Sequence, residues 1–127
     1  MKPNISDNEQ QLIYDYVYNT KLIELLESDL LKIDKSRLKI TGSYVHLLED
    51  ILRKVRLYVK DMKMEMKRLD IKVFPGKYVE DIIIQYLYTA HGYKGEMRFW
   101  DAALNNHVAE WLFKYLKTFG DTGTAIG

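Results

Sequence analysis

Residues Tyr44 to Leu69 read YVHLLEDILRKVRLYVKDMKMEMKRL. Val45, Leu48, Leu52, Val55, Val59, Met62, Met66 and Leu69 recur in alternating steps of three and four, the spacing that lines up one stripe of an α-helix. The stretch predicts one long helix with a continuous apolar seam. A seam of that length needs a partner to cover it.

The partner lies upstream. Ser6 and Glu9 have capping-box spacing, which starts a first helix there, and its seam runs Leu12, Tyr16, Asn19, Ile23, Leu26, Leu30 and Ile33 before fading at Lys35 and Ser36. The linker from Lys35 to Ser43 is short enough to make the two helices antiparallel neighbours. Setting Ile33 against Val45 pairs Leu30 with Leu48, Leu26 with Leu52, Ile23 with Val55, Asn19 with Val59, Tyr16 with Met62 and Leu12 with Met66. Asn19 is the polar member of this seam and is read as a register-fixing side chain or one bonded by a neighbour. The seam alone buries too little to offset the ordering of both helices. Leu22, Tyr44, Ile51 and Tyr58 flank it on one side, whereas Thr20, Glu27, Glu49, Arg56 and Lys63 flank it on the other, so further helices are expected to dock on the first side.

Asp70 to Pro75 breaks the helical pattern, with Ile71, Lys72 and Val73 reading as extended and Phe74 held out of helical geometry by the following proline. Leu38, Lys39 and Ile40 form a similar piece. The two lie at opposite ends of a hairpin roughly 39 Å long, so they are read as apolar plugs that cannot pair within one subunit. A third helix is expected from about Gly76 to His91, with Val79, Ile82, Ile83, Tyr86, Leu87 and Ala90 inward and Gly92 ending it. Tyr93 to Trp100, YKGEMRFW, contains Gly95 and reads as a loop. Asp101 is a candidate N-cap for a fourth helix carrying Leu104, Val108, Trp111, Leu112, Tyr115, Leu116 and Phe119 and stopping at Gly120. The expected fold is therefore all-α and four-helix bundle-like, built on a long antiparallel hairpin of helix 1 and helix 2 with two shorter helices docked on one side. Residues 1–119 form a single domain, and residues 120–127 a flexible or partner-docked tail.

The run IDKSRLKITGSYVHLLEDILRKVRLYVKDMKMEMKRLDIKV, followed by an aromatic-rich segment and NNHVAEWL, resembles the small YhjD-type proteins of Bacillus and their relatives over most of residues 8–116. A proline precedes or opens the last helix in that family, where this chain has Asp101 and Ala102. The resemblance implies a helical protein of Gram-positive or phage origin and brings no activity and no site residue with it.

Composition narrows the function. The formal net charge is +1, so no global excess attracts nucleic acid or an anionic membrane. The absence of cysteine removes disulfides, thiolate metal sites and cysteine nucleophiles, and fits a reducing compartment. Asp7, Glu9 and Asp15 near the start argue against a signal peptide, and no apolar run approaches a membrane span, so a cytoplasmic location is expected. A dinuclear carboxylate site in a four-helix bundle needs Glu-x-x-His on two helices. The residues three before His46, His91 and His107 are Ser43, Tyr88 and Leu104, and neither His46 with Glu49 and Asp50 nor His107 with Glu110 makes a full ligand set. Nucleophile-elbow, P-loop and dinucleotide-binding patterns are missing as well. No catalytic role, metal or cofactor is expected.

Two positive features remain. Arg53, Arg56, Lys60, Lys63 and Lys67 form a basic stripe along the second helix, a candidate contact for phosphates or nucleic acid. Tyr14, Tyr16 and Tyr18 point to three sides of the first helix and cannot all enter one core, while Leu57 and Met64 face outward. Tyr14, Tyr18, Leu57 and Met64 are thus the candidate protein interface. The expected function is a non-catalytic helical protein–protein interaction module with a regulatory or assembly role, self-associating as a homodimer or other homo-oligomer. The alternative is a nucleic-acid-binding regulator that uses the basic stripe.

Overall fold

The structure is a computed structural model that describes residues 5–36 and 41–126, with side chains described within 5–33 and 44–118. Helix α1, Asp7–Ser36, opens with the expected capping box. The Ser6 amide donates to Glu9 Oε1 at 3.0 Å and the Glu9 amide donates to Ser6 Oγ at 3.1 Å, so two amides that the helix leaves orphaned are satisfied reciprocally. Those bonds hold the Glu9 carboxyl below its ordinary pKa, helped by the His91 ring. Helix α2, Thr41–Arg68, returns beside α1. Its seam is buried as read, through Leu52, Val55, Val59, Met62 and Met66. On α1 the most buried side chains are Ile13, Val17, Leu22 and Leu26, and Leu12, Tyr16, Ile23 and Leu30 are only half-buried. The core face of α1 has turned away from the simple pairwise seam because α1 is covered from more than one direction.

The second half of the chain overturns the all-α expectation. Strands β1, Ile71–Val73, β2, Lys77–Glu80, β3, Ile83–Ala90, and β4, Tyr93–Trp100, build an antiparallel sheet, and helix α3, Asp101–Ile126, follows it. The molecule is α+β, not a four-helix bundle. Where a third helix was expected the backbone is β2 and β3, and the expected loop 93–100 is β4. Strand β3 is central. Strand β4 lies along one edge of it, with Ile83 opposite Trp100 and Ala90 opposite Tyr93. Strands β1 and β2 lie end to end along the other edge, Ile71 opposite Ala90 and Lys77 opposite Gln85. The Ile71–Val73 piece is therefore a paired strand and not a plug; its proposed counterpart, Leu38 to Ile40, lies outside the described residues.

Local chemistry explains the sheet. Residues 82–89, IIIQYLYT, are β-branched and aromatic almost throughout, the composition that fits a pleated surface. Alternate residues Ile84, Tyr86 and Ala90 of β3 and Met97 and Phe99 of β4 are buried, which is a period of two. His91 and Gly92 both have positive φ, 53° and 84°, the signature of the two-residue type I′ turn whose twist matches a hairpin. The Gly92 read as a helix terminator is thus the second turn residue. Asp70, φ 58°, makes the left-handed corner between α2 and β1. Pro75, which cannot donate to a ladder, falls in the gap between β1 and β2 on the sheet edge, where the Phe74 amide still donates to the Leu87 carbonyl at 2.8 Å. The helical backbone of α3 passes the expected stop at Gly120.

All three helices lie on the face of the sheet that carries Ile84, Tyr86 and Phe99. Phe99 receives Tyr14 at 6.0 Å, Tyr18 at 5.8 Å and Tyr86 at 6.0 Å between ring centroids, each edge-on. Two glycines make room for tyrosines across the ladder. A Cβ on Gly76 would come within 2.6 Å of the Tyr86 ring, and one on Gly95 within 2.2 Å of the Tyr88 ring. Tyr86 is buried against Phe99 and has nowhere to go, whereas Tyr88 is only half-buried and can swing outward. Gly76→Ala is therefore expected to cost about 1–3 kcal/mol and Gly95→Ala distinctly less, in spite of its shorter contact. Paired urea melts of the two variants check the order.

Candidate protein-interaction surface

The candidate interface residues from the sequence divide in two. Tyr18 is 8% exposed and Tyr14 is half-buried; they stack on each other at 6.1 Å and close onto Phe99, and Tyr18 also stacks on the His107 ring at 4.5 Å. They are internal contacts between α1, the sheet and α3, which corrects their placement at an interface. The physical reason is the number of neighbours: with a sheet below α1 and α3 beside it, tyrosines on different sides of one helix are each at least half-buried. Burial pushes the Tyr18 hydroxyl up to about 12. Leu57 and Met64, by contrast, stand exposed on α2. Leu57 borders a cleft where α2 meets α3, together with Tyr58, Trp111 and Tyr115, and Tyr58 and Trp111 approach to 5.7 Å.

Asn19 is the seat of α3. It is fully buried, its Nδ2 donates to the Asp15 carbonyl at 2.8 Å, and its Oδ1 accepts the Tyr115 hydroxyl at 2.7 Å. The bond links residues 96 apart in sequence and fixes one rotational setting of α3 on α1. Burial raises the pKa of the Tyr115 hydroxyl, so it stays a donor. A buried asparagine on an apolar seam signals a partner, but nothing in its spacing says that the partner is on the last helix.

The basic stripe is partly used within the chain. Arg56 meets Glu27 across the hairpin at 3.0 Å and Arg53 meets Asp50 at 2.8 Å, so two of the stripe's cations form ion pairs within the chain. All four side chains are well exposed, which keeps the stabilisation small. Lys60, Lys63 and Lys67 are exposed. Lys63 and Lys67 border a cleft with Tyr16, Met66 and Asp70 at the C-terminal end of α2, where helix carbonyls disfavour an anion. His46 is a surface residue 3.7 Å from Glu49, and His91 sits in the β3–β4 turn with Nε2 2.7 Å from Glu9 Oε2, not in the last turn of a helix. Among the described residues no group of three or more His, Asp or Glu side chains could hold a metal ion, and no helix is long and apolar enough to cross a membrane.

The surface that sequence reading missed is the outer face of the sheet. The alternation that buries Ile84, Tyr86, Met97 and Phe99 turns Ile83, Leu87 and Trp100 the other way. Trp100 is 62% exposed and Leu87 51%. Phe74, bonded to Leu87 through the backbone, joins them with the Lys72 ammonium 5.1 Å above its ring. Between the Ile83–Trp100 pair and Leu87 lie Gln85, which donates to Glu96, and Arg98, 3.9 Å from Glu96. The signal was present as period-two alternation in residues 83–100, masked by an equally good count of apolar residues at helical spacing.

An open-faced α+β module, a helical layer on one side of a small antiparallel sheet, is the class that this fold and surface define. The family model described as YhjD protein matches residues 4–119, and the chain belongs to that family. It is 23% identical over 114 residues to the "Uncharacterized protein YhjD" of Bacillus subtilis (strain 168), covering 90% of this chain and 94% of that protein. No solved structure matches the chain.

If the Asn19 bond seats α3, Tyr115→Phe should cost about 1–3 kcal/mol by leaving a buried acceptor unpaired. Adding Asn19→Leu, which removes the orphaned group as well, should recover most of that loss. A double-mutant cycle in urea measures the coupling, and no recovery in the double variant would show that α3 is held by other contacts.

Proposed function

We propose that this protein is a non-catalytic protein–protein interaction module with an assembly or regulatory role, and that its binding surface is the uncovered face of its sheet. One observation carries the reading: on the face opposite the helices two apolar pairs stand uncovered, Phe74 with Leu87 and Ile83 with Trp100, set either side of the polar row Lys77, Gln85 and Arg98 and flanked by Lys72 and Glu96. Exposed aromatic anchors set among charged and amide side chains have the mixed composition of a non-obligate interface. Leu57 and Met64 on α2 form a second, separate exposed apolar group, and they are the natural control. The lack of cysteine suits a reducing, cytoplasmic setting.

The nucleic-acid reading has less behind it, because Arg53 and Arg56 already face Asp50 and Glu27 and the net charge is only +1. Its readout would be salt-dependent retention of DNA or RNA that falls when Lys60, Lys63 and Lys67 become Glu.

Tagged protein recovered from its own cell, with light scattering on the purified chain, tests the main reading. Wild type should retain a protein, itself or another, that the Leu87→Glu, Trp100→Glu variant loses at least tenfold, while Leu57→Glu, Met64→Glu keeps it. Equal retention by both variants, with circular dichroism unchanged, would refute it.

A further inference from the structure

Strand β4 has one partner, β3, so among the described residues its other edge carries unpaired backbone groups. Which groups these are follows from the ladder. The Leu87 carbonyl accepts from Phe74, on the side away from β4, so Leu87 and Glu96 are a non-hydrogen-bonded pair. The pairs alternate along the strands. Gly95, Met97 and Phe99 therefore spend their amides and carbonyls on β3, and Lys94, Glu96, Arg98 and Trp100 turn theirs to the open edge. The same four residues place their side chains on the outer face. An eight-residue edge strand of this kind is a template for another strand unless something blocks it.

We propose that the β4 edge is a homodimer interface: β4 of a second copy pairs with it antiparallel about a two-fold axis at Met97, joining two sheets into one. The inference rests on the interaction-module reading above and adds to the sheet face a separate contact, along the β4 edge, with a second copy of the chain. Hydrogen-bond parity admits only registers that pair Lys94, Glu96, Arg98 and Trp100 among themselves. With the axis at Met97, Glu96 faces Arg98 of the second copy and Arg98 faces its Glu96. Lys94 faces Trp100 of the second copy, a cation beside an aromatic ring, and the reverse pair repeats it. Slipping the strands by two residues one way sets Glu96 against Glu96 and Lys94 against Arg98; slipping them two the other way sets Arg98 against Arg98. Both neighbouring registers oppose like charges, so the charged side chains that guard this edge against general aggregation select one register of one partner. Because the axis is perpendicular to the sheet, the outer faces of both copies lie on the same side. The dimer thereby doubles the exposed apolar groups of the outer face, with the two Trp100 side chains on one continuous sheet.

Charge reversal separates this arrangement from other modes of self-association. Sedimentation velocity over a concentration series should find wild type dimeric, and Glu96→Arg or Arg98→Glu alone should raise the dissociation constant about tenfold or more, since the two-fold doubles each like-charge pair. Mixing the two single variants should restore the dimer, because every Arg of one chain then faces a Glu of the other, and the Glu96→Arg, Arg98→Glu double variant should dimerise on its own. A wild-type dimer indifferent to both reversals would overturn the β4 edge while leaving self-association standing. A monomer at every concentration would overturn the inference as well, and the sheet face would then be judged by the Leu87 and Trp100 variants alone. Failure of the mixture to restore a dimer that the single variants have lost would refute the register.

Discussion

Phe99 is the contact on which the arrangement depends. Three tyrosines meet its ring edge-on, two from α1 and one from β3, so a single side chain near the end of β4 joins the helical hairpin to the strand hairpin. Everything around it then has a defined place. Tyr86 can stand edge-on to Phe99 because Gly76 leaves its Cβ position empty. Tyr18, fixed by Phe99 on one side, offers its other side to His107 and so begins the seat of α3. The Asn19–Tyr115 bond completes that seat on the adjoining face of α1. Edge-on ring pairs are worth about 0.5–1.5 kcal/mol each beyond the area they bury, and three sharing one ring restrict orientation more than aliphatic packing would.

The helical hairpin was legible in the sequence. Capping chemistry, the unbroken seam of α2 and the break at Asp70 each have a local cause, and local causes can be read without knowing the fold. Residues 76–100 were not legible, for an equally physical reason. An apolar-rich run such as IIIQYLYTA satisfies a helical and a strand pattern at once. Its β-branched and aromatic content favours a strand, and the His91–Gly92 pair between two alternating runs is a hairpin signal, but Gly92 also fits the end of a helix. What decides is tertiary: Tyr86 and Tyr88 need a glycine across from them, and Gly76 and Gly95 are in register only if the segment pairs.

Misreading the sheet also misplaced the candidate interface. Three tyrosines on three sides of α1 look like surface residues when α1 is given one neighbour; with a helix, a sheet and a second helix around it, Tyr18 is buried and Tyr14 and Tyr16 are half-buried. Leu57 and Met64 needed no such context and are exposed as read. The outer sheet face and the β4 edge belong to no single stretch of sequence, since each exists only once the ladder has set which residues share a side. In this molecule a helical layer covers one face, and among the described residues the other face and the β4 edge stand uncovered.

The central claim is that residues 83–100 form a hairpin whose β4 amides alternate between a paired side and an open one. Residue-resolved amide hydrogen exchange on the dilute protein tests it most directly. Slow exchange is expected at Gly95, Met97 and Phe99, faster exchange at Glu96 and Arg98, and slowing of the latter two as the protein is concentrated. Exchange at Gly95, Met97 and Phe99 as fast as at their neighbours would contradict it.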